Sequence, residues 1–166
     1  MLACSRHEYG FGLSYSTFSF HWGKTTTAAN SHAIATGETA LTYSVTVKNT
    51  GKLAAGVAVL GFVNASRGSV DPSPPLRELF NFTRVWLAAG QSKTLELSMG
   101  SDILANTDAK GVQAVRKGTY GVAIGGVGRA GRVEDGAVYA ELEVGGEDAA
   151  LFSMAELRER HERKQV

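Results

Sequence analysis

Leu41 to Lys48 constrains the fold more than any other stretch of the chain. In ALTYSVTVKNTG, the residues Leu41, Tyr43, Val45 and Val47 alternate with Thr42, Ser44, Thr46 and Lys48. A period of two puts the first set on one face of an extended strand and the second set on the other. β-Branched residues on both faces suit a pleated strand. Asn49-Thr50-Gly51 then ends it with turn chemistry.

The same signal recurs along the chain. Phe18, Phe20 and Trp22 alternate with Ser19 and His21, which predicts a first strand. Gly23 to Gly37 is polar and rich in Thr, Ala and Ser, as a loop would be. Gly56 to Asn64 is apolar on both faces, the pattern of a strand in the middle of a sheet. Arg67 to Pro75 holds all three prolines, Pro72, Pro74 and Pro75, so it cannot continue a central strand. Leu79 to Leu87 is aromatic-rich and is turned by Ala88-Ala89-Gly90. In Lys93 to Met99, Leu95, Leu97 and Met99 alternate with Thr94, Glu96 and Ser98. Ser101 to Lys117 reads as irregular. Thr119 to Ile124 sets Tyr120, Val122 and Ile124 on one face. After a glycine-rich loop, Ala137 to Val144 points Val138, Ala140, Leu142 and Val144 inward and Tyr139, Glu141 and Glu143 outward. Seven short strands result, with no helical crossover of the kind a parallel sheet needs. The expected fold is all-β, a seven-stranded antiparallel β-sandwich. Burying two inner faces would use most of the 43% hydrophobic content.

The end of the chain differs in kind. Ser153-Met154-Ala155-Glu156 has the spacing of a capping box and is followed by good helix formers. Glu156 with Arg160, and Glu159 with Arg163, are favourable i, i+4 pairs. A short solvated helix is expected from Ser153 to Lys164, its apolar face limited to Met154 and Leu157.

Bulk properties exclude several function classes. A chain of 166 residues is long enough for one domain with a sizeable core. A net charge of +1 argues against a nucleic-acid surface or a polybasic membrane tether. One cysteine, Cys4, excludes an internal disulfide framework. MLACSRHE lacks the apolar run of a signal peptide, and no stretch approaches a transmembrane helix in length.

The candidate chemistry is thin. Gly126-Val127-Gly128-Arg129-Ala130-Gly131 matches G-x-G-x-x-G after a strand. A dinucleotide site also needs a helix next, and RVEDG followed by an alternating strand is the pattern of a hairpin loop instead. Cys4 and His7 have ligand-like spacing, but no second pair exists, and His21, His32 and His161 are scattered. Ser14, Ser16 and Ser19 lack the context of a nucleophile elbow. Glu141 and Glu143 would stand about 7 Å apart on a strand, within the range glycosidases use. They read as a solvated edge, with no burial to raise an acid's pKa. Asp102, Asp108, Glu134 and Asp135 fall in loops. Asn64-Ala65-Ser66 and Asn81-Phe82-Thr83 are glycosylation sequons. Trp22, Trp86, Tyr139 and Phe11 are possible stacking rings for a sugar, with Trp22 and Trp86 read in the first place as core or interface residues. No catalytic, cofactor-binding or metal residue is assigned.

A further stretch, YGFGLSYSTF from Tyr9 to Phe18, is dense in aromatics and glycine and needs something to pack against. It resembles the aromatic-G-x-G-L-S-Y-S/T-x-F segment of family 3 glycoside hydrolases, which joins their catalytic part to a C-terminal fibronectin type III-like domain. VTVKNTGKLAAGVAVLGFV is similar to that family's V-x-V-x-N-x-G segment and the strand after it. PPLRELFNFTRVWLAAGQSKTLEL resembles its P…L-x-x-F-x-R/K-V-x-L-x-x-G segment, and KGTYGVAIGG its last turn and strand. The gap from Gly51 to Leu79, with its PSPP turn, is closer to the β-xylosidase-like branch. The resemblance implies a fibronectin type III-like sandwich over residues 14–146, a remnant linker to an absent catalytic part over 1–13, and a charged helical tail over 147–166. It implies a non-catalytic accessory module, inactive alone, whose parent hydrolyses β-linked xylo- or gluco-oligosaccharides outside the cell. The implied partner is the family's catalytic domains in cis, with oligosaccharide contact possible and no nucleic acid, membrane or cofactor. Arg67 to Leu79 is the loop that would reach a substrate entrance. The alternative is a free-standing carbohydrate- or protein-binding module. If a partner is missing, some of Tyr9, Phe11, Leu13 and Tyr15 should be unusually exposed.

Overall fold

The computed structural model of the chain describes residues 14–23, 41–65, 77–108, 110–126, 136–145 and 149–153. Ten strands lie among them: β1 (Phe18–Trp22), β2 (Leu41–Asn49), β3 (Ala55–Ala65), β4 (Glu78–Leu87), β5 (Ser92–Met99), β6 (Ala105–Thr107), β7 (Val112–Val115), β8 (Gly118–Gly125), β9 (Val138–Val144) and β10 (Ala149–Ser153). All strand pairs are antiparallel. One sheet has the order β1-β2-β5 and a second the order β4-β3-β8-β9. Their seven strands are the seven expected from the sequence. The strand apolar on both faces, β3, lies in the interior of its sheet, between β4 and β8.

The two sheets share one core. Leu41, Tyr43, Val45 and Val47 of β2 join Leu97 and Met99 of β5 on one side. Val59 and Val63 of β3, Val85 and Leu87 of β4, and Tyr120, Val122 and Ile124 of β8 oppose them. Each fully buried aliphatic side chain of this kind contributes about 1.5–3 kcal/mol. Tyr43 sits between Trp22 and Phe80, with tilted rings 5.9 Å from each by centroid. Burial pushes the Tyr43 phenol up to about 12, because ionising it would strand a charge in an apolar setting. Gly61 leaves room for the Phe80 ring, which a Cβ there would strike.

Two expectations need correction. Ser101 to Lys117 is not irregular: a 3-10 turn at Ser101–Leu104 leads into β6 and β7. Strands of three and four residues are too short to show a period, and pairing, not propensity, defines them. The strands also run further along the chain than position 146. Ala149–Ser153, placed in a helical tail from 147, is a strand paired with β7, which lies between β10 and β6 in a third sheet. Ser153, the expected helix cap, is the last residue of that strand. The rest of the expected helix lies outside the described residues. No helix among the described residues is long and apolar enough to cross a membrane.

Candidate functional site

Two places in the sandwich depart from polar-outside, apolar-inside. The first is a buried polar cluster where the chain enters β1. Asn49, at the end of β2, is 0% exposed. Its Oδ1 accepts from Ser16 Oγ at 2.6 Å and from the Gly51 amide at 3.0 Å. Its Nδ2 donates to the carbonyls of Leu53 at 2.8 Å and Leu87 at 3.0 Å. Its backbone N–H donates to Gln91 O, and its carbonyl accepts from Gly90 N. One side chain thus ties the strap at residues 14–17 to the turn after β2 and to the end of β4. Thr17 O accepts from the amides of Thr50 and Gly51, which fastens the strap a second time. Gly51 has no Cβ because one would collide with the Ser16 hydroxyl. Beside this lock Tyr15 stands 91% exposed, and Leu53 is 57% exposed.

The second place is the outer face of the four-stranded sheet. Register and burial put Phe82, Arg84 and Trp86 of β4 outward, while Val85 and Leu87 point into the core. Phe82 is 68% exposed, Trp86 67%, and Tyr139 on β9 66%. Between them lie small or half-buried residues, among them Ala58, Leu60 and Phe62 of β3 and Ala123 of β8. The Trp86 indole leans over Gly56, where a Cβ would stand 3.1 Å from its Cε3. Arg77 lies over the Phe62 ring, 6.0 Å from its centroid, a cation–π arrangement. The other sheet is the opposite. Its outward positions are Ser19, His21, Thr42, Thr46, Lys48, Thr94, Glu96 and Ser98. Hydroxyl pairs such as Thr46–Thr94 at 2.9 Å cross-link that face.

A family profile described as a fibronectin type III-like domain matches residues 58–127. The chain is 36% identical over 124 residues to a probable beta-glucosidase I of Aspergillus niger, covering 74% of this chain and 15% of that protein. It is 29% identical over 163 residues to an exo-1,4-beta-xylosidase of Emericella nidulans, covering 90% of this chain and 19% of that protein. Among solved structures, a beta-glucosidase of Kluyveromyces marxianus in complex with glucose aligns with a TM-score of 0.67 at 26% identity, over 85% of this chain and 15% of that one. The chain belongs to the fibronectin type III-like domains of family 3 glycoside hydrolases. It spans about 15–19% of the length of these curated relatives. Identity does not separate glucosidase from xylosidase, because a beta-xylosidase of Formosa agariphila also matches at 36%.

Within this fibronectin type III-like module, the residues singled out from sequence do not converge. Glu141 and Glu143 are exposed on β9, at the edge of its sheet. Asp108 caps the β6–β7 turn: its Oδ1 accepts from the amides of Lys110 and Val112, each at 2.9 Å, and its Oδ2 faces Arg116 at 3.3 Å. The Val112 amide bond, with the Lys110 amide and the Arg116 charge, holds its carboxyl below the usual range. Asp102 is exposed on the 3-10 turn, and Glu134 and Asp135 lie outside the described residues. Ser14 Oγ accepts from the Ser16 amide, and Ser16 Oγ donates to an amide oxygen, so neither hydroxyl is set up for nucleophilic attack by these contacts. Ser19 and exposed His21 lie on β1, whereas Cys4, His7, His32 and His161 are outside the described residues. Among the described residues no group of three or more His, Cys, Asp or Glu could hold a metal ion. The G-x-G-x-x-G segment is described only at Gly126, and β8 and β9 flank it as an antiparallel pair, which a βαβ dinucleotide unit would not have. Asn64 and Asn81 of the sequons both lie on strands, and Asn81 Nδ2 donates to Ser98 O at 2.8 Å.

The ring candidates divide. Trp22 is half-buried, with Nε1 donating to Tyr139 O at 3.3 Å, and is structural. Trp86 is not a core residue, since its neighbours in register and its exposure place it outside. Phe11 and residues 67–76 of the expected entrance loop lie outside the described residues. Sequence reasoning missed Phe82. The alternation of Phe82, Arg84 and Trp86 with Thr83, Val85 and Leu87 was the signal that could have found it. Of Tyr9, Phe11, Leu13 and Tyr15, some of which are expected to be unusually exposed, Tyr15 is the one among the described residues, and it is exposed.

Proposed function

We propose that this chain is the non-catalytic accessory module of a family 3 glycoside hydrolase that cleaves β-linked glucosides or xylosides with residues carried elsewhere in the same polypeptide. The observation that carries this reading is coverage: the chain corresponds to 15–19% of relatives named as glucosidases and xylosidases. The chemistry agrees. Hydrolysis by the usual route needs one carboxylic acid with a raised pKa and one carboxylate facing it across the glycosidic bond. The described carboxylates are exposed on a sheet edge or spent in a turn. The test is turnover of aryl β-glucosides and aryl β-xylosides by the purified chain. No release of phenol is expected, and activity that co-purifies with the chain through orthogonal columns would overturn the reading.

A further inference from the structure

We propose that the outer face of the four-stranded sheet, centred on Phe82, Arg84 and Trp86, is the surface by which this module docks onto the rest of its parent hydrolase. The matching surface is apolar at its middle, acidic opposite Arg77 and Arg84, and basic opposite Glu141 and Glu143. The inference rests on the accessory reading above and adds the face and the chemistry of what covers it.

Three observations carry it. The first is asymmetry. One outer face is a Ser- and Thr-rich surface with its hydroxyls paired, and the other presents rings that are about two-thirds exposed. Aromatic residues with an arginine among them are the composition of an interface centre, not of a solvated face. The second is charge. Arg77 and Arg84 lie towards the β4 edge of this face and Glu141 and Glu143 on β9 at the other edge. Opposite charges on opposite rims orient a charged protein surface; a neutral oligosaccharide has no counterpart for them. The third is continuity. Ser16 locks the entering strap beside Leu53, at the end of the sandwich where β3 begins and β4 finishes. Trp86 pairs with Gly56 at that same end. The strap at residues 14–17 therefore sits at the end of the sandwich that carries Trp86, and the relatives have more than four-fifths of their length to supply the cover.

The test compares the 166-residue chain alone with a chimaera in which it replaces the matching segment of the Aspergillus niger beta-glucosidase I. Both are labelled with hydroxyl radicals and mapped by mass spectrometry. Phe82, Trp86 and Tyr139 should react in the free chain and fall to the level of buried Tyr120 in the chimaera, while His21 on the other sheet stays reactive. If the chimaera does not accumulate, the chain is added in trans to the enzyme expressed without that segment. The Phe82→Ser, Arg84→Glu, Trp86→Ser variant should then bind about tenfold or more weakly. Equal labelling with and without the enzyme in both formats overturns the proposal. So does protection of the free chain that grows with its own concentration, which means a second copy, or protection by added xylo- or gluco-oligosaccharides, which means a sugar platform. Failure here is distinct from failure of the accessory reading. An inactive chain with an unprotected face removes only the docking surface, whereas an active chain removes the reading beneath it.

Discussion

The Asn49 cluster and the Phe82–Trp86 stripe invert the ordinary rule in opposite senses. At Asn49, polar groups are buried, and the side chain meets four partners within hydrogen-bonding distance. On β4, large rings face outward at 68% and 67% exposure. Buried polar groups persist only where their hydrogen bonds are made, so the first region is complete within this chain. Exposed rings cost hydrophobic free energy that a folded monomer has no reason to forgo, so the second region is incomplete. The difference separates what the module needs in order to fold from what it offers to something else. Substitutions should therefore act on the isolated chain at one region and leave it unmoved at the other.

The largest effect is expected at Asn49. Asn49→Ala removes the four hydrogen bonds of that side chain, although the Gly51 amide keeps Thr17 O and the Ser16 hydroxyl keeps Leu53 O, and should cost about 3 kcal/mol or more in urea denaturation of the isolated chain. Asn49→Asp is informative beside it. A carboxylate still accepts from Ser16 and Gly51 but sets negative charge against the carbonyls of Leu53 and Leu87, so it should not rescue. A loss below about 1 kcal/mol in Asn49→Ala would mean that water replaces the amide, and the cluster would not be a closed unit. Gly51→Ala attacks the same lock from the other side. Its methyl would meet the Ser16 hydroxyl, Ser16 Cα and the Thr17 amide nitrogen, and about 1–3 kcal/mol is expected from the strain. Pairing it with Ser16→Ala should return part of that loss, because the hydroxyl is the nearest atom struck.

These two regions were not equally legible in the sequence. Alternation marks five of the seven strands of the two main sheets, because one buried face imposes a period of two on residues such as Tyr43, Val45 and Val47, while β3 shows as a run apolar on both faces and β4 as an aromatic-rich one. Alternation could not locate β6, β7 or β10, whose pairing joins residues 112–115 to 149–153 across the chain. Asn49 reads locally as the start of a turn, and the turn is real. Its larger role depends on Ser16, 33 positions away, and Leu87, 38 positions away, and one sequence carries no mark of that meeting. Trp86 shows the reverse limit. Its size favours the interior, yet its parity with Arg84 places it outside.

A smaller effect separates the main sandwich from the third sheet and depends on pH. The Asp108 carboxyl is held below its usual range first by the Val112 amide bond. Its contribution is therefore fully present above the ordinary carboxylate pKa and is lost as the pH falls through the lowered folded value. The protection of the Lys110 and Val112 amides, taken relative to the intrinsic exchange rate at each pH, should fall in that acid window. Asp108→Asn, which cannot lose a charge, should show lower protection at neutral pH and little further fall on acidification. Identical acid profiles for the two proteins would remove Asp108 as the cause. Tyr43 acts at the other end of the scale: raised to about 12, it supports the fold fully below about pH 10 and loses that support as the pH rises from there through its folded pKa. Tyr43→Phe should flatten that alkaline decline.

The smallest effect is the one that the comparison most depends on. Phe82→Ser and Trp86→Ser, made singly, should change the stability of the isolated chain by no more than about 0.5 kcal/mol, although each removes a large ring. Leu87→Ala, one position from Trp86 but facing inward at 0% exposure, should cost about 2–5 kcal/mol. Thermal or urea unfolding of the three variants measures both sides of one strand in a single experiment. If Trp86→Ser costs as much as Leu87→Ala, the indole over Gly56 completes the module itself, and the stripe is part of its fold. If the cost is negligible, the ring contributes little to folding, and the free energy forgone by exposing it is recovered only when another surface covers it.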